Sequence, residues 1–299
     1  MDYVGGMKPT LCSAVGLALG IALVLAPQSL PAQSLEAKKP KAELTSYLRY
    51  QEDRNQNARL QVAIVTLQRP ADGVKVDLVG AVHIGDRAYY QDLNKLFRGY
   101  DAVLYELIAD APPAKGQKGR HPVNFIQRWM QTALKLSFQL DEINYQQRNF
   151  IHADMDPKMF AARQKARGES MLTLIWSSMR QEMARKQKGA KVEDISLTDL
   201  LRIILSPDSS HEMKLLLAKQ FQQSDGLLAA MGKDSVILVE RNNFALKVLD
   251  KTVAASEKKN FAIFYGAAHL AGMEKTLTTK KGFKRTKLRW LTAWDMPAK

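Results

Sequence analysis

Apolar residues recur over positions 60–67, with Val62, Ile64 and Val65 at the centre, and an alternating valine-rich run follows at 74–79. Pro70-Ala71-Asp72-Gly73 between them is turn chemistry, so the two runs predict a β-hairpin. The period then lengthens. Tyr89, Tyr90, Leu93, Leu96 and Phe97 fall at helical spacing, and Asp86 stands where a helix cap would. Residues 101–106 read as a short buried strand that ends in the carboxylate of Glu106. Strand, helix and strand over this length predict a right-handed βαβ unit, whose strands share one carboxyl edge.

After Ala109 the pattern changes. Residues 111–118 form a Pro/Gly/Lys loop, and from 122 to about 231 the chain reads as a series of helices. Phe125, Trp129, Leu134 and Leu136 make one apolar face, and Leu172, Ile175, Trp176, Met179 and Met183 make another. Asp156-Pro157 is a helix start with Pro at the first helical position. Ser196 and Pro207-Asp208-Ser209 mark two more starts. Residues 234–251 are helical and carry the polar cluster Glu240-Arg241-Asn242-Asn243. A strand at 260–265, a short helix at 272–277 and an alternating closing strand at 284–293 complete the chain. The expected fold class is α/β (α+β), a mixed sheet built from two βαβ-like halves with a large helical insertion at about 112–232. Residues 60–299 form one domain in this reading, with 33–59 as linker and amino-terminal segment.

The first 32 residues stand apart. Lys8 precedes the uncharged run 11–26, Pro27 breaks it, and Ser29-Leu30-Pro31-Ala32-Gln33 offers a small residue for cleavage. That layout resembles a secretory signal peptide at 1–32, and the run is shorter than the roughly 20 residues of a membrane span. The expected location is periplasmic or secreted, with membrane association if the leader stays uncleaved. Cys12, the only cysteine, lies inside the leader. The mature chain then has no disulfide, thiolate metal site or cysteine nucleophile, and any metal is held by histidine and carboxylate. The net charge is +14, densest at Lys280, Lys281, Lys284, Arg285, Lys287 and Arg289. A basic face can meet nucleic acid, anionic lipid or an acidic polymer, but no nucleic-acid module accompanies these cations, so they read as a solvated surface near an anionic envelope surface, with no nucleic acid expected.

The candidate chemistry sits in a repeated feature. Gly80-Ala81-Val82-His83-Ile84-Gly85-Asp86 follows one predicted strand, and Gly266-Ala267-Ala268-His269 follows another. Glycine permits close backbone approach, and the histidine is presented at the carboxyl end of the strand, where open α/β sheets keep their sites. Glu106 ends a buried strand and needs a partner. It is either a structural ion pair with Arg241, or a metal ligand or general base beside His83 and His269. Arg241 either completes that ion pair or holds an oxyanion. His152 and Asp154 are alternate residues of an extended segment and either pair at the edge of the insertion or line the cleft. His121 and His211 read as surface residues. The serine-hydrolase elbow, the Walker loop, the dinucleotide fingerprint and the H-E-x-x-H helix are all absent.

These parts together resemble the TraB/Tiki superfamily, which includes PrgY- and GumN-like proteins. The resemblance rests on the G-A-V-H-I-G-D run at 80–86, Tyr105-Glu106, Glu240-Arg241-Asn242 and Tyr265-Gly266-Ala267-Ala268-His269-Leu270. It spans roughly 60–294, with the helical middle similar only in type. It implies two G-x-x-H motifs facing one cleft. Members on the Tiki branch are membrane-tethered metalloproteases that use manganese or cobalt, and related sequences include an erythromycin esterase and a haem-binding lipoprotein. By that resemblance His83, His269 and Glu106 form the metal and catalytic group, with Arg241 supporting. The expectation is an exported metal-dependent hydrolase of metallopeptidase type, with manganese, cobalt or zinc and a peptide or small-molecule substrate. The alternative is a non-catalytic haem- or metal-ligand-binding envelope protein on the same scaffold.

Overall fold

The computed structural model describes residues 47–110, 133–168, 202–203, 205–231 and 236–298. The expected leader, the apolar stripe at 172–183, the Ser196 cap, His121, Phe125 and Trp129 lie outside these residues. The chain forms a mixed α/β architecture around a sheet of seven strands. β1 (Leu48–Glu52), β2 (Ala58–Gln68) and β3 (Lys75–Ala81) run antiparallel in sequence, and β9 (Lys284–Met296) pairs along the full length of β2. With β9 on one edge of β2, β1 and β3 share the other edge end to end.

The other half of the sheet is parallel. β8 (Asn260–Gly266) lies between β3 and β5 (Ala102–Tyr105), and β7 (Phe150–His152) pairs with the far side of β5. The expected strand–helix–strand unit is present as β3, α1 (Arg87–Phe97) and β5, but its two strands are not neighbours. The late strand β8 is threaded between them. That position explains its composition, because a central parallel strand is covered on both faces and reads as one apolar run. Phe261, Ala262, Ile263, Phe264 and Tyr265 are all fully buried. Each large side chain there contributes on the order of 1.5–3 kcal/mol of burial.

The hairpin of β2 and β3 closes through Gly73, whose φ of 74° lies in the left-handed region. Helix α3 (Pro157–Arg167) has the expected start, with Asp156 accepting from the Met159 N–H and Pro157 in its first turn. Helix α4 (Ser209–Met231) follows Pro207-Asp208, and α5 (Arg241–Ala254) continues a π-helical turn at Val236–Glu240. Among the described residues no helix is long and apolar enough to cross a membrane.

Three differences from the expected elements bear on the site. Tyr47 and β1 lie in the amino-terminal segment, ahead of the first expected strand, and the Tyr47 hydroxyl donates to Glu274 at 2.6 Å. Leu48 and Tyr50 alternate correctly for a strand, but charged neighbours dilute the pattern. The region assigned to the helical insertion contains β6 (Ser137–Phe138), α2 (Gln139–Glu142) and β7, so part of it belongs to the sheets. Strands of two and three residues are too short to show a period, and β7 is stabilised by the edge that β5 offers it. Finally, α6 (Ala267–Lys280) begins at the second G-x-x-H and not at Gly272.

Half of the basic cluster has specific acidic partners. Lys281 pairs with Asp250, Arg285 with Glu274 and Arg289 with the buried Asp77. These pairs tie α6 and β9 to the body of the protein.

Gly80 is the closest approach in the sheet. A Cβ at this position would lie 2.4 Å from Val62 Cγ1 and 3.1 Å from the Ala63 carbonyl oxygen of β2, with Leu270 of α6 at 3.4 Å. Gly80→Ala is therefore expected to cost about 1–3 kcal/mol through overpacking. Urea unfolding measures it as a lower midpoint at unchanged slope, and an unchanged midpoint would contradict the packing seen at this strand.

Candidate functional site

Four adjacent parallel strands end on one edge, and each is followed by a polar side chain. His83 follows β3, His269 follows β8, Glu106 follows β5 and Asp154 follows β7. The register sets their relative heights. Gly80 lies opposite Tyr265 and Ala81 opposite Gly266, while Tyr105 lies opposite Phe264. Glu106 thus comes level with Tyr265, and the second glycine lies one residue beyond, where its backbone N–H donates to Glu106 Oε2 at 2.6 Å. A Cβ on Gly266 would stand 3.3 Å from that same oxygen, so the glycine is what allows the carboxylate to reach the backbone.

Arg241, at the start of α5, closes the group from above. Its Nη2 donates to Glu106 Oε1 at 2.6 Å, and its Nε donates to Asp154 Oδ1 at 2.9 Å. Nη2 also donates to Asp154 Oδ2, so the guanidinium meets Asp154 in a fork. Arg241 is 6% exposed and Asp154 2%, which makes this a buried ion triad. The structural pairing of Glu106 with Arg241 is therefore present. Asp154 belongs with it, while His152 does not: its Nε2 donates to the Leu107 carbonyl at 2.6 Å and its ring packs on Tyr105.

His269 lies in the first turn of α6 and is 4% exposed. The Asn242 amide donates to the His269 carbonyl at 3.2 Å, which turns its Oδ1 toward the ring, 2.6 Å from Nδ1. An amide oxygen only accepts, so Nδ1 carries a proton. In the neutral ring, the Nε2 lone pair then faces Glu106 Oε1 at 3.5 Å. Two acceptors in that geometry need a cation between them, either a proton on Nε2 or a metal ion.

His83 has a different setting. It is exposed, on the bend between β3 and β4 (Ile84–Gly85). The bend is nonetheless braced on three sides. Tyr89 and Tyr90 of α1 donate to the Gly80 and Val82 carbonyls at 3.0 and 2.9 Å. Trp294 of β9 donates to the Ile84 carbonyl at 2.8 Å, and the Gln139 N–H donates to the His83 carbonyl at 2.9 Å. Asp86 occupies the cap position of α1 without capping it. Its carboxylate instead accepts from Lys214 of α4 at 3.0 Å and from the Asp295 N–H at 2.6 Å.

Burial pushes the Glu106 carboxyl upward, but the charges of Arg241, His269 and His83 outweigh it. The carboxyl is held well below the ordinary carboxylate range. A group so held is a weak proton acceptor and a permanent negative charge. Among the described residues no three His, Cys, Asp or Glu side chains form a ready-made ligand group. His269 and Glu106 supply two convergent donors, and the amide behind His269 Nδ1 is the outer partner that metal-binding histidines use. A metal there would share Glu106 Oε1 with Arg241. The donor chemistry of this pair is of the kind a divalent cation uses, and among the described residues His83 does not join it in a group of three.

Asn242 and Asp154 were visible as polar residues in the sequence, but their partners were not. Gln139 and Tyr145, which back His83, carried no signal at all, because they lie in a stretch without a period. No family model, no curated protein and no solved structure matches this chain. The fold and the edge site therefore define the class on their own terms: an α/β protein with a histidine–carboxylate site at the carboxyl ends of parallel strands.

The ion triad makes a graded prediction. Arg241→Met leaves two carboxylates at the edge and is expected to cost about 3–5 kcal/mol. Glu106→Gln keeps the Arg241–Asp154 pair and is expected to cost about 1.5–3 kcal/mol, the worth of a hydrogen bond to a charged group. Because the folded Glu106 carboxyl is lowered, its contribution is present at neutral pH and is lost as pH falls below about 4. Unfolding of wild type and Glu106→Gln across pH tests the sign, and a difference that grows on acidification would contradict it.

Proposed function

We propose that this protein is an exported metal-dependent hydrolase, with a peptide or small-molecule ester as substrate. The observation that carries the reading is the His269–Glu106 pair, in which a tautomer set by Asn242 turns an acceptor nitrogen toward a carboxylate that stays ionised. The four-part resemblance to the TraB/Tiki superfamily supports it, and so does the position at the carboxyl edge of parallel strands. His269, Glu106 and His83 would hold manganese, cobalt or zinc. When bound, the metal would polarise a substrate carbonyl and acidify water. Glu106 acts as the fixed negative charge of the site and not as its proton acceptor. Arg241 holds Glu106 and Asp154 in place through its guanidinium fork.

A second reading keeps the same residues without turnover, as a binder of haem or another metal ligand. The low proton affinity of Glu106 favours it, since a holding site needs no general base.

Protein purified without chelator is expected to carry manganese, cobalt or zinc, and the double variant His83→Ala/His269→Ala to lose it. Elemental analysis measures both, and the same metal stoichiometry in the double variant would place the metal elsewhere. Hydrolysis of a peptide and ester library with added manganese is expected in the wild type and absent in the double variant. Metal content without any turnover would support the binding reading instead.

A further inference from the structure

His83 is exposed, yet its ring is tied to the interior. Its Nδ1 lies 3.2 Å from Gln139 Oε1, and the Gln139 amide nitrogen donates to the Tyr145 hydroxyl at 2.9 Å. Gln139 is 5% exposed and Tyr145 4%, so both relay members are buried while the histidine they serve is not. Burial, reinforced by the Glu106 charge, pushes the Tyr145 hydroxyl above its ordinary value, so it stays a neutral phenol. With the Gln139 amide nitrogen donating to that hydroxyl, Oε1 is the amide atom that faces the imidazole. An amide oxygen only accepts, so His83 must donate from Nδ1.

The same logic holds at His269, where Asn242 Oδ1 takes the Nδ1 proton at 2.6 Å. The two histidines come from motif copies in different settings, one on an open bend and one in a buried helix turn. Each nevertheless has a carboxamide oxygen at Nδ1. The amides come from unrelated elements, α2 and α5. A shared requirement on the ring nitrogens accounts for both.

The geometry points to Gln139, backed by Tyr145, as a positioning residue that holds His83 in the Nδ1-protonated tautomer and so leaves Nε2 as the free donor atom. This deepens the metal-site reading and rests on it for its purpose, though the tautomer itself is independent of metal. The β4–β6 pairing, Ile84 with Phe138 and Gly85 with Ser137, fixes the segment that carries Gln139 against the bend. Residues 137–145 thereby act as a clamp on the first motif.

The test is nitrogen NMR of the metal-free protein labelled at histidine, with His83 assigned by loss of its signals in His83→Ala. Protonated and unprotonated ring nitrogens resonate far apart, so the tautomer is read directly. In the wild type, at a pH where the ring is neutral, Nε2 is expected at the unprotonated position and Nδ1 at the protonated one. Gln139→Leu removes the acceptor, and the two nitrogens are expected to exchange positions toward the Nε2-protonated form that an unrestrained imidazole prefers. Gln139→Glu keeps an acceptor at the same place and is expected to retain the wild-type tautomer. Tyr145→Phe removes the acceptor that orients the amide and is expected to give a mixture. A wild-type His83 protonated at Nε2, or identical spectra in Gln139→Leu and Gln139→Glu, would overturn the inference. Absence of metal in the purified wild type would sink the hydrolase reading while leaving the tautomer result to stand or fall alone.

Discussion

Arg241 stands between two carboxylates in a site that water barely reaches, and the rest of the edge is arranged around that fact. Placing an unpaired charge at such depth is prohibitive, so the three groups must arrive together. They come from β5, β7 and α5, elements far apart in the chain. The triad therefore couples the sheet edge to the helix that covers it. It also leaves Glu106 ionised, with one oxygen bound to the Gly266 N–H and the other shared between Arg241 and the His269 side.

The two G-x-x-H copies look alike as strings and differ as structures. Gly80 is required because β2 presses against it, whereas Gly266 is required because Glu106 does. After Gly80 the chain bends into an exposed loop held by Tyr89, Tyr90 and Trp294. After Gly266 it enters a helix directly. What the copies share is the placement of a histidine beyond a parallel strand, with a carboxamide oxygen at Nδ1. Chemistry at the ring, more than backbone shape, is the common element.

Much of this was legible before any coordinates. The hairpin, α1, α3, β8 and β9 follow from strong periods, turn residues and caps; the choice of His83, His269 and Glu106 follows from strand ends, and that of Arg241 from a polar cluster in a helical pattern. Sequence order hid the insertion of β8 between β3 and β5, because parallel neighbours need not be consecutive. It also hid β7, whose three residues pair only because β5 has an open edge. Asp154 and His152 alternate in an extended segment, and alternation alone does not show that Arg241 claims one and the Leu107 carbonyl the other. Gln139 and Tyr145 act through long-range contacts that no local pattern announces.

The central claim is that His269 Nε2 and Glu106 converge to hold a divalent cation at the carboxyl edge of the parallel strands. Anomalous diffraction at the manganese edge, from crystals grown with manganese, tests it most directly. The account predicts one strong peak about 2.0–2.2 Å from His269 Nε2 and from a Glu106 oxygen, with His83 turned toward it. A peak elsewhere, or an intact Glu106–His269 contact with no metal between them, would contradict it.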